Sequence, residues 1–248
     1  PVISVPGRLF PVSIERIPTK KKPSDAVVEQ IISIFKEGME GHILAFLPGE
    51  EEIEDGCRKL RERLPLKSKV LPLYAALTAS EQEEVFKEFG VPKVILATNI
   101  AETSITIKNI RVVVDSGTFK TLRYDPLRGF SSLDQRTISR SSAEQRTGRA
   151  GRTAPGICYR IYDDTQLEET SKPSILLQNF TETALRLLSQ KMDIFHFPYL
   201  DAPPKEYIAA ALNELYWLKL IDINGNVTDL GHKVSLLSLE PKYAVALI

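Results

Sequence analysis

The feature that most limits the folds open to this chain is a series of short, near-continuous apolar runs separated by helical stretches. His42–Leu47, Val70–Tyr74, Lys93–Thr98, Arg111–Asp115 and Ile157–Tyr162 are each a few residues long, largely apolar and punctuated by Pro, Gly or Asn. That is the pattern of strands buried on both faces. Between them Ser24–Lys36, with Ser24 as N-cap, Glu50–Arg63 and Ser80–Glu88 read as helices. Strands that are apolar on both sides need helices over both sides, so residues 8–163 are expected to form an α/β domain with a mostly parallel sheet. Such sheets bind ligands in the loops at the carboxyl ends of their strands.

One segment breaks this rhythm. Thr118–Tyr124 and Phe130–Ile138 flank Asp125-Pro126-Leu127-Arg128-Gly129 and read as a β-hairpin, expected to project from the domain. After Gln166 the character changes. Leu176–Leu188 and Lys205–Leu218 carry helical spacing, Pro203-Pro204 starts the second, and a further helix opens after the turn Asn224-Gly225-Asn226. Two helices, a tight hairpin and a third helix suggest a small winged-helix module, with Trp217 in its core.

The 248 residues are 43% hydrophobic and 26% charged, which excludes a disordered tail, a fibrous repeat and a disulfide-stapled miniprotein. The apolar runs are far short of the roughly 18 residues that span a bilayer, and Pro1-Val2-Ile3-Ser4 does not read as a signal peptide. Cys57 and Cys158 fit no metal spacing and suggest a reducing compartment, nucleus or cytoplasm. A first residue other than Met and an apolar close, Tyr243–Ile248, lead us to expect a fragment of a longer protein.

The residues that carry chemistry begin with Gln145-Arg146-Thr147-Gly148-Arg149-Ala150-Gly151-Arg152. On a helix Arg149 and Arg152 share one face, Gln145 joins it, and Gly148 and Gly151 leave room for a backbone or a ligand. Two guanidinium groups beside a glutamine suit phosphoryl transfer: the cations neutralise the migrating phosphate and the amide orients the attacking water. A solvated basic helix is the alternative. The second cluster, Thr98, Asn99, Thr103, Ser104 and Thr106, follows the strand that starts at Lys93. Hydroxyl and amide groups at a strand end and a helix start suit phosphates. Between Phe119 and Thr153 eight basic residues face three acidic ones, an excess of five in a chain whose net charge is zero. Such a patch is the electrostatic footprint of nucleic-acid binding.

These residues, in order, resemble DEAH-box ATP-dependent RNA helicases of superfamily 2. Leu96–Ile107 with Val113–Gly117 is similar to their motif V, and Gln145–Arg152 to motif VI. Ala45–Ile53 is similar to motif IV, and Leu73–Leu77 with Gln82 and Phe86 to the next block; Gly7–Val12 and Leu200–Pro204 match in character. The resemblance implies a second RecA-like domain over residues 1–168, a winged helix over 169–240 and the start of a helical ratchet domain over 241–248. The P-loop and the acidic Mg²⁺-binding box would lie in a first RecA-like domain before Pro1, leaving this piece inactive alone and with no metal ligands of its own.

By the same resemblance ATP with Mg²⁺ is the cofactor. Gln145, Arg149 and Arg152 face the γ-phosphate with the arginines as fingers, Phe86 stacks on adenine, and Thr106 and Lys108 lie near the nucleotide. Thr98, Asn99, Thr103 and Ser104 grip the RNA backbone, and Lys120, Arg123, Arg128 and Arg136 belong to a strand-separating hairpin. Lys108 stands where the family usually has an acidic residue. The implied activity is 3′-to-5′ translocation on single-stranded RNA, with the winged helix docking a glycine-rich activator of G-patch type and no membrane partner. A hydrolysis-deficient RNA or protein scaffold is the competing reading, and a bacterial or DNA-acting relative a third.

Overall fold

The computed structural model describes residues 10–38, 40–103 and 105–248. Ser104 and the Gly7–Leu9 part of the opening block lie outside the described residues. The described residues fall into two compact units, those within 1–120 and 135–171 and those within 121–134 and 172–248.

The first unit contains β1 (Val12–Arg16), α1 (Pro23–Lys36), β2 (His42–Phe46), α2 (Glu50–Arg63), β3 (Lys69–Leu73) and α3 (Ala79–Glu83), which tightens into a 3₁₀ turn at Glu84–Phe86. Next come β4 (Lys93–Ala97), α4 (Ile100–Thr103), β5 (Ile110–Asp115), a hairpin of β6 (Thr118–Asp125) and β7 (Phe130–Thr137), α5 (Arg140–Thr147) and β8 (Gly156–Arg160). Six strands form one sheet in the order β1-β8-β5-β2-β4-β3, with every pairing parallel. Alternate residues of each strand serve opposite layers. Ile43, Ala45, Val94, Leu96, Val112 and Val114 pack with α1 and α2; Leu44, Phe46, Ile95, Ala97 and Val113 pack with Val85, Ala101 and Ala150. The interior strands are buried on both faces, as the unbroken apolar runs require.

The sequence expectations differ from the structure in several details. Lys22, not Ser24, stands at the N-cap of α1, because Pro23 takes the first helical position, where its missing N–H costs nothing. The expected helix 80–88 is shortened. Thr78 and Glu81 form a reciprocal capping box and regular helix gives out at Glu84. β1 had no apolar run to announce it; it is a sheet edge, with only Val12 drawn toward the core.

In the second unit α6 (Thr181–Ser189), α7 (Lys205–Trp217), α8 (Asp229–Ser235) and α9 (Pro241–Leu247) surround Phe180, Ala184, Leu185, Ala211, Leu215, Leu220 and Ala244. An isolated antiparallel bridge joins Ile221 and Val227. Trp217 is 81% exposed, contrary to expectation: Tyr207, Ile208, Ala211 and Leu215 define the buried stripe of α7 and position 217 is off it. The hairpin does not simply project either. Tyr124 of β6 is buried in this unit's core, its N–H donates to Leu177 O at 2.7 Å, and the Tyr207 hydroxyl donates to Tyr124 O at 3.0 Å. The two rings meet edge to face at 5.6 Å.

Candidate functional site

The sheet is parallel throughout, so the loops after β2, β4, β5 and β8 gather at one edge. After β4 the chain leaves the sheet at Thr98, whose N–H donates to Leu73 O, and enters the single turn α4. Ala101 points into the core, which leaves Asn99 and Thr103, four residues apart, on the solvent side. Thr98 is half-buried; Thr106 and Lys108 are exposed beyond the turn.

Against this segment lies α5, placed by a residue that sequence reasoning treated only as a charge. Arg146 is 1% exposed. Its guanidinium donates to Asp115 Oδ1 at 2.7 Å and Glu102 Oε2 at 3.1 Å, and it stacks 4.8 Å from the centre of the Phe46 ring. Burial alone would depress this guanidinium, but Asp115 and Glu102 more than offset it and hold its pKa above the ordinary value. Asp115 is fully buried and accepts two further bonds, from the Tyr162 hydroxyl at 2.8 Å and the Gly117 N–H at 3.0 Å. Burial first, and then this carboxylate, push the Tyr162 phenol up.

The expected helical face of Gln145, Arg149 and Arg152 does not form as such. Regular helix stops at Thr147, Gly148 caps it, and residues 149–152 run through turns. The chain must turn here to reach β8, and it is held in the turn where Phe10 N–H donates to Gly151 O at 2.9 Å. A Cβ at Gly151 would fall 2.6 Å from Phe10 O, so this glycine makes room for backbone rather than ligand.

The turns still bring both arginines to the segment after β4. Arg149 is 6% exposed; it donates to Ile105 O at 2.5 Å and to Glu102 O, while its Nε has no partner. Burial, with Arg152 adding repulsion, pushes its pKa down to about 10. Arg152 is half-exposed and donates to the Thr106 hydroxyl at 2.6 Å. Gln145 is exposed on the last turn of α5. Phe86 stands out from the 3₁₀ turn, 47% exposed, on a different stretch from the arginines.

The basic excess between Phe119 and Thr153 is largely satisfied within the chain. Lys120 is paired with Glu52 at 2.8 Å, Arg140 with Glu169 at 2.9 Å, and Arg123 lies 3.9 Å from Asp134. Arg128, at the exposed hairpin tip, lies 3.8 Å from Asp125, and Arg136 is half-buried. What remains available is narrower than a count of charges suggests. Among the described residues no group of three or more His, Cys, Asp or Glu could hold a metal ion, and no helix is long and apolar enough to cross a membrane.

Sequence reasoning missed Asp115, Glu102 and Tyr162 as partners of Arg146. A signal was present for one of them: Asp115 closes the run Val112-Val113-Val114, and a carboxylate at the end of a doubly buried strand demands a partner.

Comparison with known proteins accords with this geometry. Residues 25–154 match the helicase conserved C-terminal domain family. Over 264 aligned positions the chain is 39% identical to the pre-mRNA-splicing factor ATP-dependent RNA helicase prp22 of Schizosaccharomyces pombe, covering 100% of this chain and 22% of that protein. A crystal structure of the DExH-box NTPase HrpB of Escherichia coli matches with a TM-score of 0.84 at 33% identity over 97% of this chain and 31% of that one. A second HrpB structure, described as a DEAH/RHA helicase, gives 0.89 at 33% identity over 98% and 32%. The chain therefore spans about a fifth of the curated relative and about a third of the solved ones. The parallel sheet with helices on both faces is the RecA-like fold of these helicases, and the chain, similar to DEAH-box helicases over its length, belongs to the helicase conserved C-terminal domain family.

Proposed function

We propose that this chain is the C-terminal half of an ATP-dependent motor that moves 3′ to 5′ along single-stranded RNA and remodels RNA or RNP. The observation that carries the reading is the junction between the two clusters. Arg146 donates to the Glu102 carboxylate, Arg149 to the Glu102 carbonyl and Arg152 to the Thr106 hydroxyl, so the segment with the arginines and the segment after β4 are tied by three hydrogen bonds. A displacement of one would be felt by the other.

The residues fit a nucleotide. Arg152 is half-exposed, Arg149 has a buried unpaired Nε, and the Phe86 ring is open to solvent. In this reading Arg149 and Arg152 neutralise the triphosphate, Gln145 orients the attacking water and Phe86 stacks on adenine, with Thr106 and Lys108 nearby. Mg²⁺ would neutralise the phosphates when bound, held by residues of the preceding RecA-like domain. Thr98, Asn99, Thr103 and Ser104 hold the RNA backbone, without reading its sequence. Residues 1–168, 169–240 and 241–248 then serve as RecA-like domain, winged helix and start of the ratchet. A glycine-rich activator on the winged helix and a nuclear or cytoplasmic location follow from the same reading.

The test uses the full-length helicase. Arg152→Ala should leave ATP affinity nearly unchanged and cut turnover by about 10³, and Arg152→Lys should restore little, because the planar fork is lost. Turnover within a few-fold of wild type would refute the finger role. One observation favours the scaffold reading: both arginines already have partners inside the chain. Absence of RNA-stimulated hydrolysis by the full-length wild type would decide for it.

A further inference from the structure

Lys93 opens β4 and is 1% exposed, a burial that lysine almost never accepts without partners. Its Nζ donates to Val85 O and to Lys87 O, each at 3.0 Å. These carbonyls flank Phe86 on both sides. They also lie where the 3₁₀ turn Glu84–Phe86 ends, and at a helical C-terminus carbonyls lack intrahelical partners and draw a cation. Burial lowers the pKa of this ammonium, and Glu88 works in the opposite direction. The lysine is itself anchored: its backbone N–H donates to Nδ1 of the buried His42 at 3.2 Å, across from β2.

The surroundings show what the anchor does for the ring. Val85 is fully buried in the layer with Leu44, Phe46 and Ile95, so its side chain fixes the depth of the turn against the sheet. The next residue must then face away, and Phe86 does. After Lys87 the backbone is extended and no helix continues the turn. The Lys87 N–H closes the turn on Glu84 O at 3.2 Å, and the Val85 side chain and the Lys93 ammonium tie that end of the turn to the sheet. An exposed ring on a three-residue turn is a poor stacking platform unless the turn is pinned, because ordering it on binding costs conformational entropy.

We propose that Lys93 is a positioning residue for base recognition, holding the carbonyls on either side of Phe86 so that the ring stands ready to stack on a purine. The inference deepens the proposed function and rests on its reading of Phe86 as the adenine-stacking face. Lys93 touches neither substrate nor the reacting atoms; it acts through Phe86.

The experiment is a double-mutant cycle in the full-length helicase, with steady-state ATP hydrolysis at saturating RNA. Phe86→Ala should raise KM for ATP about tenfold, the scale of one lost base–aromatic stack. Lys93→Met should raise KM by several-fold, with a much smaller change in kcat, and Lys93→Arg, which can reach the same carbonyls, should recover most of it. In the Phe86→Ala background, Lys93→Met should add almost nothing. If Lys93→Met melts below the assay temperature, the cycle is run with Lys93→Gln, which keeps a donor at that position. An unchanged KM for Phe86→Ala would overturn the stacking reading. A raised KM for Phe86→Ala with no effect of Lys93, or with effects that multiply in the double variant, would overturn the role of Lys93 while leaving the stacking reading in place.

Discussion

Replacing Arg146 by methionine isolates the cost of the buried network. The side chains are similar in length, so packing over Phe46 is largely kept while the charge is lost. Asp115, fully buried, and Glu102 then face each other without their cation. Removing one partner of a buried ion pair costs about 3–5 kcal/mol. Asp115 keeps the Tyr162 hydroxyl and the Gly117 N–H, which places the expectation at the lower end, about 3 kcal/mol. For a chain of this length each kcal/mol shifts Tm by roughly 2–4 °C, so a fall of about 6–12 °C is expected by calorimetry on the 248-residue chain. Arg146→Lys should recover less than half, because an ammonium cannot serve both carboxylates as the fork does. Combined with Asp115→Asn, the cycle should give a coupling of about 1 kcal/mol or more. A melting point for Arg146→Met within 2 °C of wild type, or strict additivity with Asp115→Asn, would refute the reasoning.

Other outcomes follow from single contacts. Gly151→Ala should destabilise by about 1–3 kcal/mol through overpacking against the Phe10 carbonyl; chemical denaturation checks it, and a neutral result would mean that β1 moves aside. Asp164 is half-buried, which raises its pKa, but Arg160 and Arg16 outweigh this and hold it below the ordinary value. Its stabilising effect is thus present above the unfolded pKa and lost as pH falls through the lower folded one, so Asp164→Asn should lower Tm at pH 6 and hardly at pH 2; equal losses at both would contradict the assignment. Tyr124→Ala should cost about 3–5 kcal/mol, as large aromatic truncations do, whereas replacing Pro126–Gly129 by a Gly-Ser turn should leave Tm nearly unchanged. In the full-length helicase that tip replacement should reduce duplex separation while RNA-stimulated hydrolysis persists; parallel loss of both would remove the hairpin from strand separation.

The interior strands were legible because burial on both faces leaves little but aliphatic residues, as in Val94-Ile95-Leu96-Ala97. α2 was legible to the residue, because Gly49 and Leu64 bound a clean helical period. β1 was not, since an edge strand with Ser13 and Glu15 has no pattern of its own. In the site, the chemistry of Arg149, Arg152 and Thr106 could be read from residue type and order, but their geometry could not. A sequence shows three similar arginines in eight residues. Which one is swallowed by Asp115, 31 positions back, depends on a pairing across the fold that no local period encodes. The same holds for the hairpin, whose Tyr124 looks like any alternating strand residue.

That tyrosine sets a schedule for synthesis. Its ring partner and hydrogen-bond donor, Tyr207, lies 83 residues later. At roughly 5–20 residues per second, Tyr124 leaves the ribosome about 4–16 s before α7 exists to cover it. Meanwhile the strands on either side of the hairpin, β5 and β8, can already join their sheet, so a two-stranded ribbon with an uncovered aromatic waits for its partner helices. An isolated ribbon of that kind is only marginally stable in water. The interval is a window for a chaperone, or for mispairing with a neighbouring nascent chain. It also means that the helices after Lys172 cannot be transplanted as a contiguous stretch: their core is completed by a segment encoded some fifty codons upstream.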